Sequence, residues 1–387
     1  MKPYPKKRKE QIMGNNTPKV QRLMVLVIAI MAMMVLSLSA VGAQDSTPTA
    51  PTHDVKDTYS PEKVLATGAT FEGTFSHGGF TYSVKSGQTN ILNMSGNGVV
   101  DSGRDVGSPI VAIGGADSLT SIYVATQHDL LTFSDASKGF IPTNINVAIM
   151  PDYITLYGAS KDCLIGFVDG AAAPQGFQVV QGGDFVYALR AIDCTFTKEV
   201  QAQFLMWTAA KNGVWPSDMA VTDYDTVNLL ATGSTFSETF SQNNISIKVD
   251  TDGKTMLVTG GGYVDGKMPT GSHIVQIGGN GSSAVYTLGQ TTFATYSSSS
   301  SALVPTNVNL GNLMPDGLTV FGLNADKNLV VFDSSKAQAQ LYQVKVGGDH
   351  GFTLSPLNTP AQREFQVTFL KWLAGSRKVT PDMMVQN

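Results

Sequence analysis

The stretch VLATGATF, residues Val64–Phe71, returns as LLATGSTF, residues Leu229–Phe236, a shift of 165 residues. Other segments recur in the same order at shifts of 163 to 165: IVAIGG at 110–115 with IVQIGG at 274–279, IPTNIN at 141–146 with VPTNVN at 304–309, MPD at 150–152 with MPD at 314–316, and FLMW at 204–207 with FLKW at 369–372. An ordered series at one spacing indicates an internal duplication. The sequence therefore predicts two tandem homologous modules, residues 59–223 and 224–387.

Short apolar runs separated by turn residues dominate both repeats. Asp252-Gly253 lies between two such runs and predicts a hairpin. The predicted strands cover 80–84, 91–94, 110–113, 122–125, 130–133, 154–157 and 164–168 in the first repeat, and 246–249, 256–259, 274–277, 284–288, 292–296, 318–321 and 329–332 in the second. Because long helices do not alternate with these strands, a doubly wound parallel sheet is disfavoured.

Each repeat is predicted to end in a helix. In the second repeat, Thr359–Gln362 (TPAQ) has the pattern of a helix N-terminus, with Thr359 as the N-cap. The large apolar residues that share one helical face, and are predicted to lie in the core, are Val200, Phe204 and Trp207 in the first repeat and Phe365, Phe369 and Trp372 in the second. The predicted fold class is α+β, in which each β-rich module is a mixed or antiparallel sheet closed by one C-terminal helix.

The first 43 residues combine a basic lead with the uncharged apolar run Leu23–Ala43. Small residues at Val41 and Ala43 predict a signal peptide cleaved after Ala43. The run is also long enough to remain as an N-terminal membrane helix, which would make the membrane a partner. Both interpretations predict an extracellular or cell-surface protein. Residues 44–58, rich in Pro and Thr, are predicted to form a linker.

The charge of the chain argues against nucleic-acid binding. Lys and Arg total 26 against 30 Asp and Glu, and a large share of the cations lies in the N-terminal lead. The remainder is therefore acidic and repels phosphate backbones.

Cys163 and Cys194 are the two cysteines of the chain, and both lie in the first repeat. In an oxidising compartment such a pair is expected to form one disulfide.

No zinc, nucleophile or nucleotide motif is present in the sequence, and no cofactor is predicted. Acids recur at matching positions of the two repeats, as Asp101 with Asp265, Asp152 with Asp316, Asp169 with Asp333, and Asp184 with Asp349. Turn chemistry is the favoured interpretation, because Met-Pro-Asp and Gly-Gly-Asp are typical of loops. Calcium ligation and acid–base catalysis are the alternatives, so a metal site is left open.

Three functions are consistent with these features. The favoured hypothesis is a non-enzymatic cell-envelope or surface protein that acts through binding or assembly of its two modules, with self-assembly or other envelope components as partners. The second is an extracellular protein that binds a small ligand such as a sugar between the modules. The third is a secreted hydrolase that uses the recurrent acids.

Overall fold

The computed structural model describes residues 59–115, 121–134, 139–140, 150–183, 185–260, 263–281, 284–297, 302–303, 314, 317–348 and 351–384. The predicted signal or anchor at 1–43 and the linker at 44–58 lie outside these residues. Among the described residues, no helix has both the length and the apolar character required to cross a bilayer.

The chain forms mainly short strands, with a few helices near the start and end of each sequence repeat. In the first repeat these are α1 (Pro61–Ala66), β1 (Gly73–His77), β2 (Phe80–Val84), β3 (Ile91–Gly96), β4 (Val99–Asp105), β5 (Ile110–Gly115), β6 (Ser121–Thr126), β7 (Leu130–Ser134), β8 (Gly139–Phe140), β9 (Ile154–Ala159), β10 (Leu164–Val168), β11 (Gln175–Gly183), β12 (Val186–Ile192), α2 (Lys198–Lys211) and α3 (Pro216–Met219). In the second they are α4 (Thr226–Ala231), β13 (Thr239–Gln242), β14 (Ile245–Val249), β15 (Thr255–Gly260), β16 (Tyr263–Pro269), β17 (Ile274–Gly279), β18 (Ala284–Gly289), β19 (Phe293–Ser297), β20 (Ala302–Leu303), β21 (Leu318–Leu323), β22 (Leu329–Asp333), β23 (Gln340–Gly348), β24 (Gly351–Pro360), α5 (Arg363–Ser376) and α6 (Pro381–Met384).

The strands form six four-stranded antiparallel sheets, each built from four strands that follow one another in the chain. We number these sheets I to VI in chain order, so that sheet I is β1–β4 and sheet VI is β21–β24. Where the sequence predicted one sheet per module, the structure has three sheets in each repeat. Tight turns explain the difference, because a short strand pairs most readily with its immediate neighbour.

Within each repeat, neighbouring sheets pack face to face. Sheets I and II share a core that includes Tyr82 and Phe133, and sheets V and VI share one that includes Leu288 and Phe352. The first strands of neighbouring sheets also contact each other, β1 with β5 and β5 with β9, and likewise β13 with β17 and β17 with β21. Four-stranded sheets in chain order that pack in this way have the blade arrangement of β-propeller proteins.

Helices α2 and α5 contribute to one apolar core shared by the two repeats. Phe204 of α2 packs edge-on against Phe167 of β10, with ring centroids 5.3 Å apart, and Phe369 of α5 packs in the same way on Phe332 of β22, at 5.4 Å. Of the core positions predicted from helical spacing, Phe204, Trp207, Phe369 and Trp372 are buried, while Val200 and Phe365 are partly buried against the same core. The predicted N-cap at Thr359 is wrong, because Thr359 and Pro360 extend β24 and Gln362 is the N-cap of α5.

The repeated LATG segment joins the first helix of each repeat to its sheets. A Cβ atom at Gly68 would lie 1.6 Å from the carbonyl oxygen of Tyr157, and one at Gly233 would lie 1.9 Å from that of Phe321. Only glycine permits this approach of two backbones. Beside it, the buried amide of Gln127 donates to the Leu65 carbonyl at 3.1 Å, and Gln290 donates to Leu230 at 3.0 Å. The recurrence of this segment thus has a packing cause.

Candidate functional site

A cleft of about 350 Å³ lies where the two repeats meet. Beside it, Ala171 and Lys336 form an antiparallel β-bridge, although they are 165 positions apart and so occupy equivalent places in the two repeats. The bridge connects the turn after β10 to the turn after β22. The cleft is lined by Asp169, Gly170, Trp207, Thr208, Lys211 and Asn212 of the first repeat and by Lys336, Ala337, Gln338 and Gln340 of the second.

An ion pair forms the first-repeat wall of the cleft. Lys211 Nζ binds the carboxylate of Asp169, and both side chains remain about two-fifths exposed. The same ammonium group lies 4.5 Å from the centroid of the Trp207 ring. Trp207 is itself buried against Phe167, with ring centroids 5.4 Å apart. The exposed ion pair therefore lies on the buried ring of Trp207.

The last turn of α2 supplies the polar groups next to this pair. The Thr208 hydroxyl donates to the Phe204 carbonyl at 2.9 Å, and the Asn212 amide nitrogen donates to the Thr208 carbonyl at 2.9 Å. The Asn212 amide uses one of its two N–H donors in this bond, and its oxygen is an acceptor at the cleft. The backbone N–H of Asn212 donates to the carbonyls of Thr208 and Ala209, and the N–H of Gly213 donates to that of Ala210, which closes the helix end.

The second-repeat wall is a tight turn that presents Lys336. The buried carboxylate of Asp333 accepts from the backbone N–H of Ser335 at 2.9 Å and from its hydroxyl at 2.7 Å. The N–H of Lys336 donates to the Asp333 carbonyl at 3.1 Å. The Lys336 side chain is exposed and forms no ion pair with any residue that the structure describes. Among the side chains that line the cleft, Lys211 is paired to Asp169 and the charge of Lys336 is in excess, while the Asp333 carboxylate lies buried in the turn behind it.

The structure places the eight recurrent acids in different settings. Asp169 lies in the cleft, Asp333 organises the Lys336 turn, and Asp152 is exposed in the turn before β9. Asp101 lies on β4 and Asp265 on β16, the fourth strands of sheets I and IV. The structure describes the backbone of these two residues only. The remaining three, Asp184, Asp316 and Asp349, lie outside the described residues. In the described part of the chain, no three His, Cys, Asp or Glu side chains are grouped to hold a metal ion.

The predicted disulfide between Cys163 and Cys194 is present. It connects the residue before β10 to the segment between β12 and α2. A Cβ atom at Gly176 would lie 2.2 Å from the sulfur of Cys194, so glycine leaves room for the bond. The equivalent positions of the second repeat are Asn328 and Thr359, which makes this bond a feature of the first repeat alone.

Sequence reasoning missed the two lysines of the cleft because it searched for residues that recur. The counterpart of Lys211 is Ser376, and the counterpart of Lys336 is Ala171. The useful signal was a difference between the repeats: a charged residue in one repeat aligns with a small residue at the matching position of the other.

A second polar contact between the repeats has a different character. Arg363 of α5 binds the carboxylate of Asp218, donates through Nε to the Gly213 carbonyl at 2.9 Å, and lies 5.4 Å from the Trp215 ring centroid. Burial lowers the pKa of the nearby Lys371. Because Arg363 is used in contacts across the junction, this region holds the repeats together, whereas the cleft presents a cation to solvent.

No protein-family model matches the chain, and no curated protein sequence matches it. Solved structures share a limited likeness with it. A functionally unknown protein from Desulfotomaculum acetoxidans is 12% identical over 74% of this chain and 89% of that one, with a TM-score of 0.21. The dihydro-heme d1 dehydrogenase NirN is 11% identical over 77% and 69%, with a TM-score of 0.23. Hsv2 of Kluyveromyces lactis is 10% identical over 72% and 94%, with a TM-score of 0.18. TM-scores this low do not establish a shared fold or a shared function.

Proposed function

We propose that this chain is an exported, non-enzymatic protein of the cell envelope or surface that binds a small ligand in the cleft between its two repeats. The observation that carries the proposal is the lining of the cleft. It combines an exposed ion pair from one repeat, above a buried aromatic ring, with Lys336 from the other, which has no ion pair among the described residues. Small-molecule sites commonly lie where two units meet and contain a few convergent polar groups.

The two repeats are proposed to act as homologous modules, each closed by its C-terminal helix. The order of elements supports this arrangement, since the described part of each repeat has a short helix, twelve strands, a 14-residue helix and a final short helix. Helices α2 and α5 contact each other in the shared core. A ligand that contacts both walls of the cleft would therefore sense the relative position of the modules.

Export is proposed from the N-terminal sequence and from the disulfide. The apolar run at 23–43 has the character of a signal peptide or membrane helix, and disulfides persist in oxidising compartments. Fractionation of cells, with N-terminal sequencing of the mature protein, tests this part. We expect the protein outside the cytoplasm, either beginning at Gln44 or intact in the membrane fraction. An unprocessed, soluble cytoplasmic protein would contradict export.

Ligand binding is tested by thermal unfolding of the full-length protein in the presence of a panel of sugars, organic acids and amino acids. A ligand at 100 times its Kd stabilises the protein by about 2.7 kcal/mol. A true cleft ligand loses this effect in Lys336→Met and keeps it in Lys345→Met, a lysine exposed on β23 away from the cleft. If no compound in the panel stabilises the protein in a Lys336-dependent way, the proposal of a ligand site in the cleft is wrong.

Self-assembly is a second candidate, favoured by the outer faces of sheets I and IV. Both faces expose hydroxyl side chains at equivalent positions, including Ser76 and Thr81 in contact at 3.3 Å and Ser241 and Ser246 at 3.2 Å. A chain with two equivalent faces can contact two further copies, and such contacts form filaments or lattices when they do not close. Light scattering at rising concentration would show growing particles if assembly is the function, and a constant monomer mass if it is not.

A further inference from the structure

We infer that the cleft between the repeats recognises a small monoanionic carboxylate with hydroxyl groups, the chemistry of an acidic sugar such as a uronic acid. This inference rests on the proposed function and names the ligand class of the same site. The volume of about 350 Å³ is suited to a compact ligand, since small-molecule sites range from about 300 to 1,000 Å³.

The charge of the cleft selects an anion. Lys211 neutralises Asp169, so the negative charge of that carboxylate is already compensated by a partner on the same wall. Lys336, on the opposite wall, has an exposed ammonium group with no ion pair among the described residues. A ligand carboxylate can take the place of the missing partner, and hydrogen bonds between ionised groups are among the strongest available.

The same surroundings disfavour a dianion such as phosphate. The cleft lies at the C-terminal end of α2, where the aligned peptide dipoles contribute partial negative charge. Arginine forks and helix N-termini are the usual ligands of phosphate groups, and the described lining contains neither. One uncompensated lysine matches one negative charge.

The remaining lining binds hydroxyl groups better than an apolar body. The Asn212 amide oxygen and the side chains of Gln338 and Gln340 supply acceptors and donors around the cleft. The Trp207 ring, which in principle offers a stacking surface to a neutral sugar, is covered by Lys211 and almost fully buried. Recognition therefore depends on charge and hydrogen bonds, and a neutral sugar lacks the charged half of the interaction.

Isothermal titration of the full-length protein with glucuronate, glucose and inorganic phosphate tests the inference. We expect glucuronate to bind at least about tenfold more tightly than glucose or phosphate, since a charge-assisted hydrogen bond is at stake. Lys336→Met should weaken glucuronate binding by about tenfold or more for the same reason. Asp169→Asn should strengthen it by about two- to fivefold, because Lys211 is then free to attract the ligand. Lys345→Met is the matched control and should leave the Kd unchanged.

The outcomes separate the ligand class from the function. If glucose or phosphate binds as tightly as glucuronate and Lys336→Met weakens that binding, the acidic-sugar class is wrong while the cleft remains a binding site. Weaker glucuronate binding by Asp169→Asn would contradict the inference, because removal of the Asp169 charge should favour a bound anion. If neither these three probes nor the wider panel bind in a Lys336-dependent way, both the ligand class and the proposed function are overturned.

Discussion

At the junction of the two repeats, some equivalent positions make equivalent contacts and others carry unrelated residues. Tyr224 donates a hydrogen bond at 2.6 Å to the carbonyl of Met219, at the end of the first repeat. Its counterpart Tyr59 donates to the carbonyl of Met384, at the end of the second. Each repeat thus begins against the last helix of the other, and the two ends of the folded region meet. At the cleft, by contrast, Lys211 and Lys336 correspond to Ser376 and Ala171. The scaffold contacts occur in both copies, whereas the charged groups of the cleft occur in one copy each.

The largest expected effect on stability comes from Phe167 and Phe332, two buried rings that pack against α2 and α5. Phe167→Ala and Phe332→Ala each remove a fully buried ring from the shared core and should each cost about 3–5 kcal/mol of unfolding free energy. Urea denaturation of the two variants measures the loss. Similar values would confirm that the repeats share one scaffold; a difference above about 2 kcal/mol, beyond the usual context dependence of such substitutions, would contradict it.

The disulfide should give the next largest effect, and only in the first repeat. The bond joins residues 31 positions apart, and loops of this size are stabilised by about 2–4 kcal/mol. The double variant Cys163→Ser with Cys194→Ser should therefore unfold at a lower urea concentration, as should the wild type under reducing conditions. Asn328→Ser with Thr359→Ser, at the equivalent positions, is the control. Equal midpoints for wild type and the cysteine variant would show that the bond does not stabilise the fold.

The reciprocal tyrosine contacts should each contribute less. Tyr59→Phe or Tyr224→Phe removes one buried hydrogen bond, at an expected cost of about 0.5–1.5 kcal/mol; in the second variant the Met219 carbonyl still accepts from the Val221 N–H. Hydrogen exchange should show faster opening near Met384 in the first variant and near Met219 in the second. If Tyr59→Phe has no effect on stability, the contact between the two ends does not contribute to closing the fold.

Alkaline pH should expose a smaller, proton-linked effect. Burial raises the pKa of Tyr286 from 10.0 to about 12. The unfolded chain loses this proton first, so stability falls as the pH rises from 10 towards 12, by about 1.4 kcal/mol per pH unit at most. Tyr286→Phe should reduce that slope in denaturation measurements at pH 10–12 and leave it unchanged near neutral pH. An unchanged alkaline slope would show that other groups control it.

The smallest expected effect on stability is that of the cleft ion pair. Lys211→Ser gives the first repeat the residue found at position 376 of the second, and an exposed pair contributes about 0.2–1 kcal/mol. The midpoint of urea unfolding should hardly move, while glucuronate binding weakens because Asp169 is left uncompensated. A loss of several kcal/mol would instead give Lys211 a role in the scaffold.

Much of the local structure followed from sequence pattern. The fourteen predicted strands coincide with strands of the structure, and Asp252-Gly253 forms the turn between β14 and β15, with Gly253 at a φ of +67°. The strands that were not predicted include β11, β12, β23 and β24. In β12 and β24 buried residues do not alternate regularly with exposed ones, and these strands are held by pairing with β11 and β23.

The candidate site was less accessible to sequence reasoning. Asp169 was singled out because the sequence pairs it with Asp333, but the strands place the two aspartates one position out of step: Asp333 ends β22 where Val168 ends β10, and Ser334 occupies the place of Asp169. Asp169 pairs with Lys211 beyond the end of its strand, whereas Asp333 accepts hydrogen bonds within its own turn. A local motif cannot carry that information.

The sequence by itself determined the duplication, the β-rich composition with one long helix near the end of each repeat, and the cysteine pair, because these depend on spacing and residue type along the chain. The tertiary structure alone decided that the strands divide into six sheets, that the helices of both repeats share one core, and that Asp169, Lys211 and Lys336 line one cleft. These last features depend on which surfaces meet when two similar units pack together. Packing between distant segments is set by the shape and charge of both partners, and neither segment specifies it alone.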